Sequence, residues 1–241
     1  MKAKTLKELN NKKIFLFGDY LDIVTFDLPQ RWPAGWLYRG HKDAFWPLAA
    51  KIDRAPFVEF RTSVGGTRRQ HESRILETFK NWSRPHLRLQ PQNDWEWLAL
   101  AQHHGLATRL LDWTANPIAA LFFAVEGLND GNDSAVWCYA HQGKIVQEKL
   151  DPFRSEEVLR FDPPHLSERI PVQAASFTVQ PIRPSWRGPR VKLIIDQSSR
   201  AVFQDQLDDL NINRATLFPG LDGAADMINS LFSRLPAEGF V

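Results

Sequence analysis

Residues 94–125 read DWEWLALAQHHGLATRLLDWTANPIAALFFAV, and the punctuation of this stretch sets the architecture. Asp94 can cap a helix over residues 95–104. Trp95, Leu98, Ala99 and Gln102 fall on one face of it and Trp97, Leu100, Ala101 and His104 on the other, so the helix is predicted to be buried on both sides. Gly105 suits a left-handed C-terminal cap. Residues 108–114, T-R-L-L-D-W-T, predict a strand. Thr108, Leu110, Asp112 and Thr114 share one face, and Arg109, Leu111 and Trp113 the other. Asn116 can cap the next helix, with Pro117 at its first position. Residues 118–125 are apolar on every side, the pattern of a helix buried all round.

The same reading extends outward. Upstream, residues 14–28 predict a strand and a short helix, and residues 35–40, G-W-L-Y-R-G, a short strand. Its period puts Leu37 and Arg39 opposite Trp36 and Tyr38. Residues 51–70 read as a loop entering a helix over 72–82, where Ile75, Leu76, Phe79 and Trp82 recur at helical spacing. Downstream, residues 135–139 predict a central strand, 141–143 a hairpin turn and 144–147 its return strand. Residues 151–168 read as loop, 169–180 contain a β-like run, and 191–195 predict another strand. Ser199 can cap a helix to Leu210, with Val202, Phe203, Leu207 and Leu210 facing the core. Asp222 can cap a last helix whose Ala224, Met227, Ile228, Leu231 and Phe232 form an apolar stripe. No bland linker divides the chain. The expectation is one mixed α+β domain over residues 1–241, a central β-sheet with flanking helices.

Composition narrows the function. The chain has 241 residues, 43% hydrophobic, and a formal net charge of +2. A core of ordinary size is expected, and no global field points to nucleic acid or an anionic membrane. The nine Trp supply large apolar rings that suit both a core and a stacking site. Cys138 is the single cysteine, so no internal disulfide forms and a reducing cytoplasm is the expected compartment. The first residues are basic, but the apolar run at 14–17 is too short for a signal peptide or a membrane span.

The densest chemistry lies at Gln102, His103, His104, Thr108, Arg109, Asp112 and Thr114. Charges among apolar elements need partners, so one reading is structural: Asp112 braces the chain and Arg109 ties two elements together. Metal binding by His103, His104 and Asp112 is disfavoured, because adjacent histidines point in different directions on a helix and no His pair at i, i+4 occurs. No G-x-S-x-G elbow, Walker loop or dinucleotide glycine fingerprint is present. A ligand pocket built from Arg39, the His-His-Gly turn and residues 108–114 is the sharper alternative.

These residues carry a resemblance. Tyr38-Arg39-Gly40 followed by Trp46-Pro47-Leu48 resembles the opening motif of the FRG domain, named for Phe-Arg-Gly, with Tyr38 in place of Phe. Glu72 and Phe79 match its acidic helix. Residues 101–117 resemble its block A-Q-H-H-G-L-P-T-R-L-L-D-W-T-x-N-P, with Ala107 where Pro is usual. Arg169-Ile170-Pro171-Val172-Gln173 with Phe177-Thr178 resembles R-I-x-x-Q-x-G-x-F-T, with Ala175 in the Gly position. Residues 217–223, L-F-P-G-L-D-G, resemble the closing motif. Together these motifs span about residues 30–232. The motif order is also similar to that of ADP-ribosyltransferases of the Arg-Ser-Glu type, with Gln173 where those enzymes carry their catalytic Glu.

The resemblance implies an ADP-ribosyltransferase-like split sheet and NAD+ as substrate, with no metal. It implies catalytic roles for Arg39, His104, Asp112 and Gln173, with Asp112 or Glu168 supplying the missing charge. It implies NAD+ contacts from Tyr38, Arg39, Gly40, Thr108, Arg109, Trp113 and Thr114. Arg39 would bind phosphate, Gly40 would admit the nicotinamide amide, and Trp113 or Tyr38 would stack on the ring. The expected partner is a macromolecular target, protein or nucleic acid, as for a bacterial toxin or phage-defence effector. The alternative is a non-catalytic nucleotide-sensing or nucleic-acid-binding module. Gln173 motivates its sensing form, and the basic segment Arg61, Arg68, Arg69, Arg74, Arg84 and Arg88 its nucleic-acid form.

Overall fold

The computed structural model describes residues 3–87, 89–127, 131–147, 149–163, 172–182, 184 and 186–234. Helix α1 (Leu6–Leu9) leads into β1 (Lys12–Ile14), α2 (Phe17–Asp22), a π-helical turn (Ile23–Asp27) and α3 (Leu28–Arg31). Then come β2 (Leu37–His41), α4 (Phe57–Val64), α5 (Arg68–Ser83), α6 (Asp94–His103), β3 (Leu110–Thr114) and α7 (Pro117–Val125). The second half supplies β4 (Ser134–Tyr139), β5 (Leu159–Phe161), β6 (Ala175–Val179), β7 (Arg190–Ile195), α8 (Arg200–Asp209), α9 (Arg214–Leu217) and α10 (Leu221–Arg234). The seven strands form one mixed sheet in the order β1-β7-β4-β2-β3-β6-β5, within a single α+β domain that contains no closed barrel. The β1–β7 pair is parallel and the other pairs are antiparallel.

The pairing is uneven at the centre. β2 runs beside β4 from Leu37↔Tyr139 to His41↔Ala135. β3 runs beside β6 from Leu110↔Val179 to Thr114↔Ala175. Yet β2 and β3 meet at one residue pair, Tyr38↔Thr114. Beyond that joint the two half-sheets diverge, and a gap opens between Arg39 and Asp112.

Local chemistry explains the elements around the gap. Asn93, not Asp94, caps α6: its Oδ1 accepts from the Glu96 N–H at 3.0 Å. Gly105 ends the helix at φ +81°, a conformation that favours glycine. There the Leu106 N–H donates to the Ala101 carbonyl at 2.9 Å. Asn116 caps α7 by accepting from the Ile118 and Ala119 N–H groups. Ala119, Ala120, Leu121, Ala124 and Val125 of α7 are buried, with Val136, Cys138 and Leu193 of the sheet in the same core cluster. Gly40 is where this helix presses on β2. A Cβ there would run into the Ala120 carbonyl oxygen and come within 2.8 Å of the Phe123 carbonyl carbon.

A buried ionic knot fastens the other half. Arg109 Nε donates to Glu72 Oε1 at 3.0 Å, its Nη2 pairs with Glu72 Oε2, and its Nη1 donates to the Pro152 carbonyl at 2.7 Å. Arg68 is also buried, donating to the Gln180 carbonyl at 2.9 Å and to Asp53 at 2.8 Å. Arg61 faces Asp53 and Arg69 pairs with Asp151. Three of the six arginines proposed as a basic face are therefore spent on local carboxylates. Arg88 lies outside the described residues.

Several expectations change. Residues 144–147 form no return strand beside β4, because β2 and β7 already occupy both its edges; Ile145 makes an isolated bridge to Arg160 instead. The proline-rich stretch expected as loop contains β5, which pairs with β6. In α8, Phe203 and Leu207 are buried, whereas Val202 and Leu210 are exposed. Ser199 precedes that helix but spends its hydroxyl on the Phe15 carbonyl. On α10, Ile228, Leu231 and Phe232 are exposed rather than core-facing. The left-handed residue before β6 is Ala174, at φ +46°, while Ala175 is already in the strand.

The knot is testable. Replacing Arg109 by Met would leave the Glu72 carboxylate buried without its main partner. Urea denaturation should show a loss of about 3–5 kcal/mol, the usual cost of breaking one half of a buried pair.

Candidate functional site

The gap between β2 and β3 is the floor of a cleft of about 350 Å³. Tyr38, Arg39 and Gly40 of β2 line it, as do Asp112, Trp113 and Thr114 of β3 and Gln173 before β6. Gln102 and His103 of α6 close one side, and Trp46, Phe123, Phe177 and Phe218 give it aromatic walls. Lys42 and Glu126 stand at one end.

Arg39 bridges the gap. Its Nη1 donates to the Asp112 backbone carbonyl at 2.8 Å and lies 3.3 Å from Asp112 Oδ2. Its Nε donates to His41 Nε2 at 3.1 Å. No hydrogen bond engages Nη2 among the described residues, so one donor edge of the guanidinium is open to a ligand. Asp112 is in turn held by Gln102, whose Nε2 donates to both carboxylate oxygens at 2.9 and 3.1 Å. Gln102 Oε1 accepts from the Thr108 hydroxyl at 2.6 Å. The side chain of Asp112 remains 53% exposed, so a carboxylate fixed at both oxygens still faces solvent in the cleft.

Not every expected residue reaches the cleft. His104 is the C-cap of α6 and does not line it; His103 takes that place, with the two rings edge to face at 5.0 Å. Thr108 acts at one remove, through Gln102. Arg109 is committed to the Glu72 knot. Trp113 offers no stacking face, because its buried ring packs on Tyr139 and Trp186 and its indole N–H donates to Thr178 at 2.8 Å. Gly40 is accounted for by helix packing. Tyr38 is almost fully buried at the cleft wall, and burial pushes its hydroxyl well above the usual phenol range. Thr114 donates to the Gln173 backbone carbonyl at 2.6 Å, which draws Gln173 to the site. The Gln173 amide nitrogen then donates to the Leu217 carbonyl at 2.9 Å. Glu168 lies outside the described residues, as do Arg169, Ile170 and Pro171 of the third motif.

His41, Lys42 and Glu126 were not among the residues singled out by sequence. The available signal for His41 was the strand period, which places residue i+2 on the face of Arg39. His41 is buried, and desolvation together with the charges of Arg39, Arg54 and Lys192 lowers its pKa from 6.5 to about 3, against a weaker opposing pull from the Trp46 backbone. The imidazole is therefore neutral at pH 7 and can accept from Arg39. Cys138 is buried in β4 and its thiol is pushed up by burial, so it is no nucleophile. Among the described residues no group of three His, Cys, Asp or Glu is placed to hold a metal ion, and no helix is long and apolar enough to cross a membrane.

Residues 34–133 match the family model of the FRG domain. The chain carries an FRG domain. The match takes in Arg39, Gln102, Asp112 and the joint between β2 and β3. Gln173, Phe177 and Phe218 of the cleft lie beyond it, so the FRG match ends before one wall of the site. No curated protein and no solved structure matches the chain.

The His41 arrangement gives a pH prediction. Its folded pKa is depressed, so its contribution to stability is intact above about pH 6.5 and is lost as pH falls toward 3. Between pH 7 and 4, urea unfolding of the His41→Asn variant should lose less stability than the native chain, by an amount on the order of a few kcal/mol. Identical pH dependence of the two proteins would contradict a buried neutral His41.

Proposed function

We propose that the FRG domain binds NAD+ in the gap between β2 and β3 and transfers ADP-ribose to a macromolecular target. The observation that carries this reading is the pairing, across a one-residue joint, of an arginine with an open donor edge and a fixed, solvent-facing carboxylate. The donor set suits the ligand. The Nη2 edge of Arg39 can bind a phosphate oxygen while Nε and Nη1 hold the side chain in place. The aromatic walls suit a flat, cationic nicotinamide. Asp112 supplies negative charge where glycosidic cleavage develops positive charge, the electrostatic contribution usually dominant in such steps.

The reaction balances simply. The bond from the ribose carbon to the nicotinamide nitrogen breaks, and nicotinamide leaves with the electron pair. An acceptor group on the target forms the new bond to that carbon, and its proton passes to water. Asp112 is the carboxylate for this role, because Gln173 has none and its amide is tied to Leu217. A toxin or phage-defence effector would use this chemistry on its target.

A second reading, a nucleotide sensor, is favoured by that same Gln173. It predicts NAD+ binding without turnover. The nucleic-acid form is weakened by the ion-paired state of Arg61, Arg68 and Arg69.

Calorimetry with NAD+ and release of nicotinamide in the presence of cell lysate separate these readings. The native chain should bind NAD+ and release nicotinamide as label appears on a target. Arg39→Lys should weaken binding by about 10- to 100-fold, the equivalent of about 1.5–3 kcal/mol for a charge-assisted hydrogen bond. Binding without release would support the sensor. No NAD+ binding would overturn both.

A further inference from the structure

A second chamber of about 530 Å³ adjoins the cleft, and Lys42 and Glu126 line both. Its walls include Phe122 of α7, Asp208 near the end of α8, and Asp226, Met227, Ser230 and Ser233 of α10. The Glu126 carboxylate is held by Lys42 at 3.3 Å and by Arg214 at 2.7 Å, and Arg214 also reaches Asp226 at 3.0 Å. Helix α10 is exposed at Asp226, Asn229 and Ser233 as well as along its apolar stripe. Its polar residues line the chamber while Ile228, Leu231 and Phe232 are exposed. With Glu126 and Asp208, these polar residues give the chamber wall hydrogen-bonding groups that suit a polar ligand.

The two volumes suggest a division of labour. Ligand pockets run from about 300 to 1,000 Å³, so a cleft of about 350 Å³ takes a nucleoside-sized group and not a whole dinucleotide. The rest of a dinucleotide must leave past Lys42, the cation common to both spaces. Carboxylates outnumber cations on the chamber wall, which disfavours phosphate inside and leaves it at the Lys42 mouth. Asp208 and Asp226 can accept from ribose hydroxyls, as acidic residues do in other dinucleotide sites. Phe122 adds apolar surface for a purine.

We propose that this chamber is the subsite for the adenylate half of the dinucleotide, with Lys42 at the pyrophosphate. The proposal rests on the NAD+ reading of the cleft, and its test can fail separately. AMP, nicotinamide mononucleotide and NAD+ are titrated by calorimetry into the native chain, Ser233→Trp, which fills the chamber, and Lys42→Ala. AMP should bind the native chain. Ser233→Trp should weaken AMP and NAD+ at least tenfold and leave nicotinamide mononucleotide within twofold. Lys42→Ala should weaken all three, and it keeps the test open should Ser233→Trp fail to fold. Failure of AMP to bind, or AMP affinity unchanged in the folded variants, would overturn the subsite and leave the chamber to the acceptor. If AMP behaves as expected while nicotinamide mononucleotide and NAD+ do not bind, the adenylate site stands and the NAD+ reading of the cleft falls.

Discussion

Arg39 replaces a β-ladder. Where β2 and β3 part after Tyr38↔Thr114, the Asp112 carbonyl has left the register and has no backbone donor from the facing strand. Nη1 of Arg39 supplies it at 2.8 Å. One side chain thereby tolerates a break in the middle of a seven-stranded sheet, and the break is what makes room for a ligand. The strands on either side are fully paired, so the gap has firm banks: β4 behind β2 and β6 behind β3.

The surroundings hold that arginine in one pose. His41 can accept from Nε only while neutral, and burial keeps it so. Gln102 and Thr108 fix Asp112 from the other bank. Gly40 lets α7 pack directly under the strand that carries Arg39, which stiffens it. The Arg109–Glu72 knot, though only a few residues from Asp112 in sequence, serves the opposite end of β3 by anchoring it to α5. Two arginines of similar prominence in the sequence thus do unlike things: one is sealed against carboxylate and carbonyl, the other keeps an edge free.

Sequence reading recovers what is local. The Asn116 cap, the Gly105 stop and the alternation of residues 110–114 depend on neighbours within a few positions, and each is present. The mixed α+β class follows from the same periodicities, whereas β5 does not. Partner choice is not local. Nothing near Lys144 announces that β4 has both edges taken, and nothing in α10 announces that its apolar stripe faces outward. At the site, residue types pointed to Arg39, Asp112 and Gln173, which do converge, but rotation about α6 put His103 in the cleft and not His104. Trp113 lines the cleft, but its ring packs on Tyr139 and Trp186 and leaves no face for stacking.

A dinucleotide seated in the open joint between β2 and β3 must contact both strands. Backbone and arginine side-chain NMR during an NAD+ titration tests it most directly. Shifts are expected at Tyr38, Arg39, Asp112 and Thr114, with the Arg39 guanidinium resonances among the largest. Shifts confined to the far strands β1 and β7, or no shifts at saturating NAD+, would contradict it.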